Sequence, residues 1–390
     1  MYTFFIIVFL IYGSFHAYAF LRAFYGLSLS PISGAVLALL MVFMLFSPLL
    51  VRVLEKSGNL AAAVLMGYAS YVWMGFIFLF LCSSLLVDFY RLAIWALHFI
   101  FRQMPGSLSI SAFAAFVAPL AAAFIITVYG AFEAINIRAE SVALETARLD
   151  AQKDKLRIVQ ITDIHLGLMV GPQRLERILE IVKQARPDIL ISTGDLIDGD
   201  SSTLSRSIEM LKEVNPPLGK FAVTGNHEFY AGIERALAIT REAGFKVLRQ
   251  ESFTIPGIIR IAGVDDREES GTPLPGNTPG NTIDEKVLSP EAPEFTLFLK
   301  HRPVVSRSTI GKFDLQLSGH AHRGQIFPFR LITKLFFPLD SGLYRLSENS
   351  YLYASRGTGT WGPPIRFLSP PEVTIIDLVR KSQALKQKTE

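Results

Sequence analysis

The run Leu156-Arg-Ile-Val-Gln-Ile-Thr-Asp-Ile-His165 reads as a β-strand over 156–162 that delivers an aspartate and a histidine to the loop beyond it. Its apolar residues are nearly continuous, the texture of a strand covered on both faces. Downstream, residues 188–193, 219–224, 258–264, 295–300, 314–318, 351–354 and 372–378 read as strands of the same kind. Between them, 172–185, 201–214 and 233–243 carry apolar residues at helical spacing. Strands alternating with helices predict a layered α/β domain over 155–380. Residues 266–284, polar and rich in Gly and Pro, read as a mobile surface loop, and 381–390 as a frayed tail.

Upstream the composition changes. The chain has 38 basic and 34 acidic residues, and only Arg22, Arg52, Glu55, Lys56, Asp88, Arg91, Arg102 and Glu133 precede residue 138. Four uncharged stretches, 2–21, 32–51, 60–87 and 110–132, reach the ~20 helical residues that cross a bilayer core. Residues 1–137 are therefore expected to be an all-α, multi-span membrane domain, with 138–154 as a linker. The first stretch lacks a basic n-region and three more follow it, so it reads as a span and not as a cleaved leader. Residues 92–101 are too short to span and, between Arg91 and Arg102, suggest an interfacial helix. Basic residues divide evenly between the two sides, which leaves the orientation open. His16 and His98 lie in apolar surroundings with no carboxylate near in sequence and read as packed side chains. The net charge of +4 is shared evenly between the two parts, so no nucleic-acid partner is expected. The one cysteine, Cys82, rules out a disulfide framework and a cysteine metal site.

Five of the seven histidines fall at or just after strand ends: Asp163-Ile-His165, Gly194-Asp195-Leu-Ile-Asp198, Gly225-Asn226-His227-Glu228, His301, and Gly319-His320-Ala-His322. Open α/β sheets place their ligands at the carboxyl ends of strands. Each motif alone has an ordinary explanation, such as a turn aspartate, a helix cap or a surface pair. Together they describe one site. Carboxylate, imidazole and carboxamide without thiolate suit Mn, Fe or Zn better than Mg alone. Two cations ~3.5–4 Å apart need a bridging anion, and a water they share becomes a hydroxide nucleophile near neutral pH.

This order of motifs resembles the calcineurin-like metallophosphoesterases, over about 155–378. The resemblance implies a four-layer α/β/β/α sandwich and two divalent metals, manganese favoured. By the same resemblance, Asp163, His165, Asp195 and His322 would hold the first metal. Asp195, Asn226, His301 and His320 would hold the second, with Asp195 as the catalytic bridge. His227 would be catalytic, facing the leaving group as an acid or electrostatic stabiliser, and Asp198 and Glu228 would orient ligands. The segments 161–169, 225–230, 324–329 and 355–362 resemble the bacterial, membrane-anchored YkuE/YaeI-like branch, which implies a cytoplasmic (inner) membrane protein. Ala321 and Arg323 depart from the branch text, which has Thr and Gly there.

Protein phosphatases of the superfamily carry an arginine where this chain has Gly199, which points to phosphodiester or pyrophosphate hydrolysis. The segment 326–338, aromatic and aliphatic with interspersed cations, reads either as core or as an interfacial surface. A lipid bilayer and a membrane-associated phosphoester, such as an acylated nucleotide or phospholipid, are the expected partners. Arg323, Arg356 and Arg366 are candidate substrate contacts. Residues 355–362 are Gly-rich but lack a P-loop lysine. Two alternatives stand beside this reading. One is a phosphodiesterase or phosphatase on soluble substrates. The other, a membrane sensor or transporter with a regulatory metal domain, is disfavoured because no span carries an acidic residue at its centre.

Overall fold

The computed structural model describes residues 2–101, 108–149, 154–199, 204–266, 282–289 and 292–381. The chain divides into two compact units, one of N-terminal helices and one of mixed sheets.

The first unit comprises α1 (Tyr2–Gly26), α2 (Pro31–Lys56), α3 (Leu60–Ile100) and α4 (Ala112–Ile135). All four are long and apolar enough to cross a membrane. Polar groups inside the unit pair with one another. Ser47 Oγ bonds Ser70 Oγ at 2.8 Å, and Trp73 Nε1 donates to His16 Nε2 at 3.0 Å. Arg22 pairs with Asp88 at 3.0 Å, and the Tyr18 hydroxyl donates to the same carboxylate. His16 and His98 each place Nδ1 against a backbone carbonyl one turn earlier, as packed histidines do. The expected separate helix at 92–101 does not exist. Those residues are the end of α3, whose 41 residues run ~60 Å, because no Gly or Pro interrupts 76–100.

The second unit carries β1 (Arg138–Thr146), β2 (Lys155–Ile161), α5 (Pro172–Ala185), β3 (Ile189–Ser192), α6 (Ser205–Lys212), β4 (Lys220–Ala222), α7 (Asn226–Ala231), α8 (Ile233–Glu242) and β5 (Lys246–Val247). It continues through β6 (Glu251–Ile255), β7 (Ile259–Gly263), α9 (Thr282–Leu288), β8 (Phe295–Leu299), β9 (Leu315–Ser318), α10 (Arg330–Phe336), β10 (Gly342–Arg345), β11 (Tyr351–Ala354) and β12 (Glu372–Arg380). One sheet has the order β1-β12-β2-β3-β4-β5 and the other β10-β11-β9-β8-β7-β6. Ile158, Ile191, Ile261, Leu297 and Leu317 belong to the core packed between the sheets. Because side chains alternate along a strand, Val159, Ile161 and Leu190 face the opposite way, into a core with Leu175, Ile178 and Leu211 of α5 and α6. On the far side Phe298 packs with Val287 and Leu288 of α9. The layers run α/β/β/α.

Residues 138–146, expected as linker, form an edge strand parallel to β12, with Arg138 opposite Glu372. The strand escapes notice in the sequence because, of the alternate residues 140, 142, 144 and 146 that turn inward, only Val142 and Leu144 are apolar, as an edge permits. The expected loop at 266–284 ends instead in α9, while 267–281 and the tail at 382–390 lie outside the described residues.

Candidate metal centre

β2, β3 and β4 are mutually parallel, as are β7, β8 and β9, so each sheet sends several carboxyl-terminal strand ends to one edge. Hydrogen bonds join the two edges. Gln160 Nε2 donates to Ser318 O at 3.1 Å, His301 Nδ1 to Thr193 O at 2.8 Å, and His320 N to the Asp163 carboxylate at 3.0 Å.

The candidate ligands fall into three overlapping groups, Asp163/His165/His322, His165/Asp195/His227 and Asp195/His301/His320, each with donor atoms within 4.8 Å of one another. The atoms that meet are mostly acceptors. His322 Nε2 is 3.2 Å from Asp163 Oδ1, and His301 Nε2 is 3.2 Å from Asp195 Oδ2. His165 Nε2 faces His322 Nε2 at 3.3 Å, and His320 Nδ1 faces His301 Nε2 at 3.2 Å. The bond from His301 Nδ1 to a carbonyl places the proton of the neutral ring there and leaves Nε2 a lone pair. The carboxamide oxygen of Asn226 is buried without a partner. Converging lone pairs and an orphaned oxygen are costly without a positive charge among them, so the residues present fit bound cations.

Holding these atoms together strains the backbone. Asp163, His165, Asp195, His320 and His322 have φ of 53°, 57°, 51°, 67° and 46°, the left-handed region that L-residues avoid. The glycines of the motifs have a steric role. A Cβ on Gly225 would collide with the Asp195 carboxylate, and one on Gly319 with that of Asp163. Glu228 secures the loop by accepting N–H bonds from Asp195, Leu196, Ile197 and Gly225 at 2.7–3.2 Å.

Electrostatics follow from this crowding. Burial alone would raise the carboxyls of Asp163 and Asp195, but the facing imidazoles, chiefly His322 and His301, hold both below the ordinary carboxylate range. Among the imidazoles His301 is the exception: burial would lower it, but Asp195, 3.2 Å from its Nε2, pushes it up to about 10. Without a cation a proton sits between the two, where a bound metal would replace it. Burial lowers His165 to about 4 and also lowers His320 and His322. A neutral imidazole is the form that binds a metal. Glu228 rises to about 7 through burial and the nearby charge of Asp195. Burial would lower His227, but its bond to Asp198 and the surrounding carboxylates raise it instead.

His227 Nδ1 lies 2.8 Å from Asp198 Oδ1. Its ring meets Tyr230 and Trp361 edge-on, with centroids 5.4 and 5.7 Å away, and Phe337 meets His320 at 4.9 Å. These aromatic neighbours escape the motif reading, although Tyr230 and Trp361 sit inside two of the quoted segments. Gln325 clamps the backbone of Trp361 through both its N–H and its carbonyl.

Two candidate substrate arginines are corrected. Arg356 is held by Glu140 and Glu372. Arg366 is fully buried and donates to the carbonyls of Arg356, Gly359 and His322, with Nη2 3.1 Å from His322 Nδ1. A guanidinium consumed inside the protein cannot meet a substrate, so Arg366 positions His322 instead. Arg323 remains half-buried beside the site, its Nε without a hydrogen-bond partner.

A two-sheet sandwich with carboxylates, imidazoles and a carboxamide gathered at its strand ends is the framework of a metal-dependent phosphoester hydrolase. Residues 156–324 match the calcineurin-like phosphoesterase family, and the chain belongs to it. It is 38% identical to a metallophosphoesterase of Aquifex aeolicus over 268 residues, covering 66% of this chain and 98% of that protein. It is 32% identical over 265 residues to a transmembrane protein with metallophosphoesterase domain of Danio rerio, covering 65% of this chain and 60% of that one. YkuE of Bacillus subtilis, also a metallophosphoesterase, is 31% identical across 58% of this chain and 79% of its own length.

Proposed function

We propose that this chain is a multi-pass protein of a bacterial inner membrane that hydrolyses a phosphodiester or pyrophosphate bond in a membrane-associated, lipid-like substrate. Two divalent transition-metal ions serve the reaction, manganese favoured, one held by Asp163, His165, Asp195 and His322 and the other by Asp195, Asn226, His301 and His320. The observation that carries the reading is the shared carboxylate. Asp195 belongs to two of the three ligand groups and lies 3.2 Å from His301 and 4.0 Å from His165.

Metals bound there would supply positive charge for the phosphoryl oxygens and a water acidic enough to attack at neutral pH. The protein's own residues do the rest. Asp198 accepts the bond from His227 Nδ1 and so fixes the ring, leaving the other nitrogen to protonate the departing oxygen. Glu228 and Arg366 hold the ligand loops in their strained form. With Arg356 and Arg366 engaged internally, Arg323 is the cation left beside His322 for a phosphate. The four apolar helices support a membrane location.

The test is Mn-dependent turnover by purified full-length protein, comparing an activated phosphodiester with the matching monoester and using Asp195→Asn as the control. Preference for the diester, lost in the variant, is expected. Preference for the monoester would overturn the choice of bond.

A further inference from the structure

α10 begins eight residues after His322, the last candidate ligand, and buries none of its side chains. Leu331 and Leu335 are 61% and 66% exposed, and Ile332 and Phe336 are exposed beside them. Apolar residues thus project from a short helix whose one charged residue beyond the first is Lys334, also exposed. The helix is firmly placed all the same. Arg330 at its start makes two bonds to the buried Asp340 carboxylate, at 2.7 and 3.1 Å. The backbone of Arg330 presses so closely on Gly324 that a Cβ there would collide with it. Phe337, directly after the helix, meets the ring of His320. A rigid apolar projection next to a reaction centre is a binding surface, since monomeric proteins leave few such patches uncovered.

We propose that α10 is an interfacial helix that enters the acyl boundary of a lipid leaflet and brings a phosphoester headgroup to the metal ligands. The inference rests on the lipid-substrate reading above and names the element that meets the lipid. Two further observations favour a bilayer over a protein partner. Only Asn136 and Ile137 separate the end of α4 from β1, so a sandwich tethered to a spanning helix stays at the membrane surface. A helix of seven residues offers a face of only ~10 Å by ~10 Å, far less than its share of the ~1,200 Å² or more that a stable dimer buries, yet it suits insertion to ~5–10 Å. Its lysine complements anionic headgroups.

The experiment uses full-length protein with Cys82→Ser, carrying an environment-sensitive fluorophore on Leu335→Cys or, as the reference, on Lys183→Cys of α5. Both are reconstituted in vesicles of phosphatidylcholine and phosphatidylglycerol doped with shallow doxyl-labelled phosphatidylcholine. Quenching by the doxyl lipid at 335 is expected to exceed that at 183 by roughly threefold or more. Equal quenching at the two positions overturns the proposal. So does a label at 335 shielded from aqueous iodide but untouched by doxyl lipid, the signature of a second copy or another protein on the helix. Quenching needs no turnover, so this result is independent of the diester assay. Quenching without hydrolysis would keep the surface and sink the proposed reaction.

Discussion

At the scale of single residues, the centre depends on a few side chains with separable roles. Asp195→Asn removes the shared carboxylate. It should cost bound metal, measured by elemental analysis, and lower turnover at least about a hundredfold. His227→Ala should keep the metals, because Asp195, His301, His320 and the Asp163 group remain, while slowing turnover by about 10²–10⁴-fold, most for poor leaving groups. Loss of metal in that variant would mean that His227 is a ligand. Arg366 acts one step further back. Arg366→Met removes the support of His322 and of the 355–362 loop, and should weaken metal affinity about 10–100-fold in a titration.

At the scale of elements, the joint between β2 and β12 carries a pH dependence of its own. Asp377 on β12 accepts two bonds from Arg157, at 2.8 and 3.0 Å, and pairs with Lys155 at 2.6 Å. The bonds from Arg157, reinforced by Lys155, lower its pKa. A carboxyl with a depressed folded pKa contributes stability above its unfolded value and loses it as pH falls through the folded one. These side chains are partly exposed, so Asp377→Asn should cost about 1 kcal/mol at neutral pH. The corresponding fall in Tm is about 2–4 °C, and it should shrink as pH falls below the ordinary carboxylate range and vanish once Asp377 is protonated in both states, read by circular dichroism in detergent. The elements also differ in how readily they could be read. Runs such as Ile189–Ser192, Phe295–Leu299 and Leu315–Ser318 announce themselves because both faces are buried. β1, β6 and β10 have exposed or half-exposed faces and carry a diluted signal. α10 has no buried face, so no helical period marks it.

At the scale of the whole molecule, cation binding and folding are one problem. The carboxyl-terminal strand ends of two sheets converge on acceptors that repel one another, with five ligand residues in the left-handed region. A cation binding only the folded form stabilises it by about 2.7 kcal/mol at one hundred times its dissociation constant. Chelation should therefore lower the unfolding temperature of the sandwich, and added Mn should restore it. An unfolding temperature indifferent to chelator would argue against metal at these residues.

The residue types of the site, and their order at the ends of apolar runs, could be read without coordinates, because ligand chemistry needs particular atoms and buried strands need continuous apolar residues. So could the four apolar stretches, since crossing a bilayer is a matter of length and missing charge. Partner choice could not. Arg356 and Arg366 resemble substrate contacts until the fold brings Glu140 and Glu372 to one and a shell of carbonyls to the other. Glu140 lies 216 residues from Arg356, and no local pattern encodes that meeting. The tertiary structure likewise decided that 138–146 pairs as a strand and that 92–101 continues a helix. An edge strand needs a neighbour to exist, and a helix ends only where something stops it.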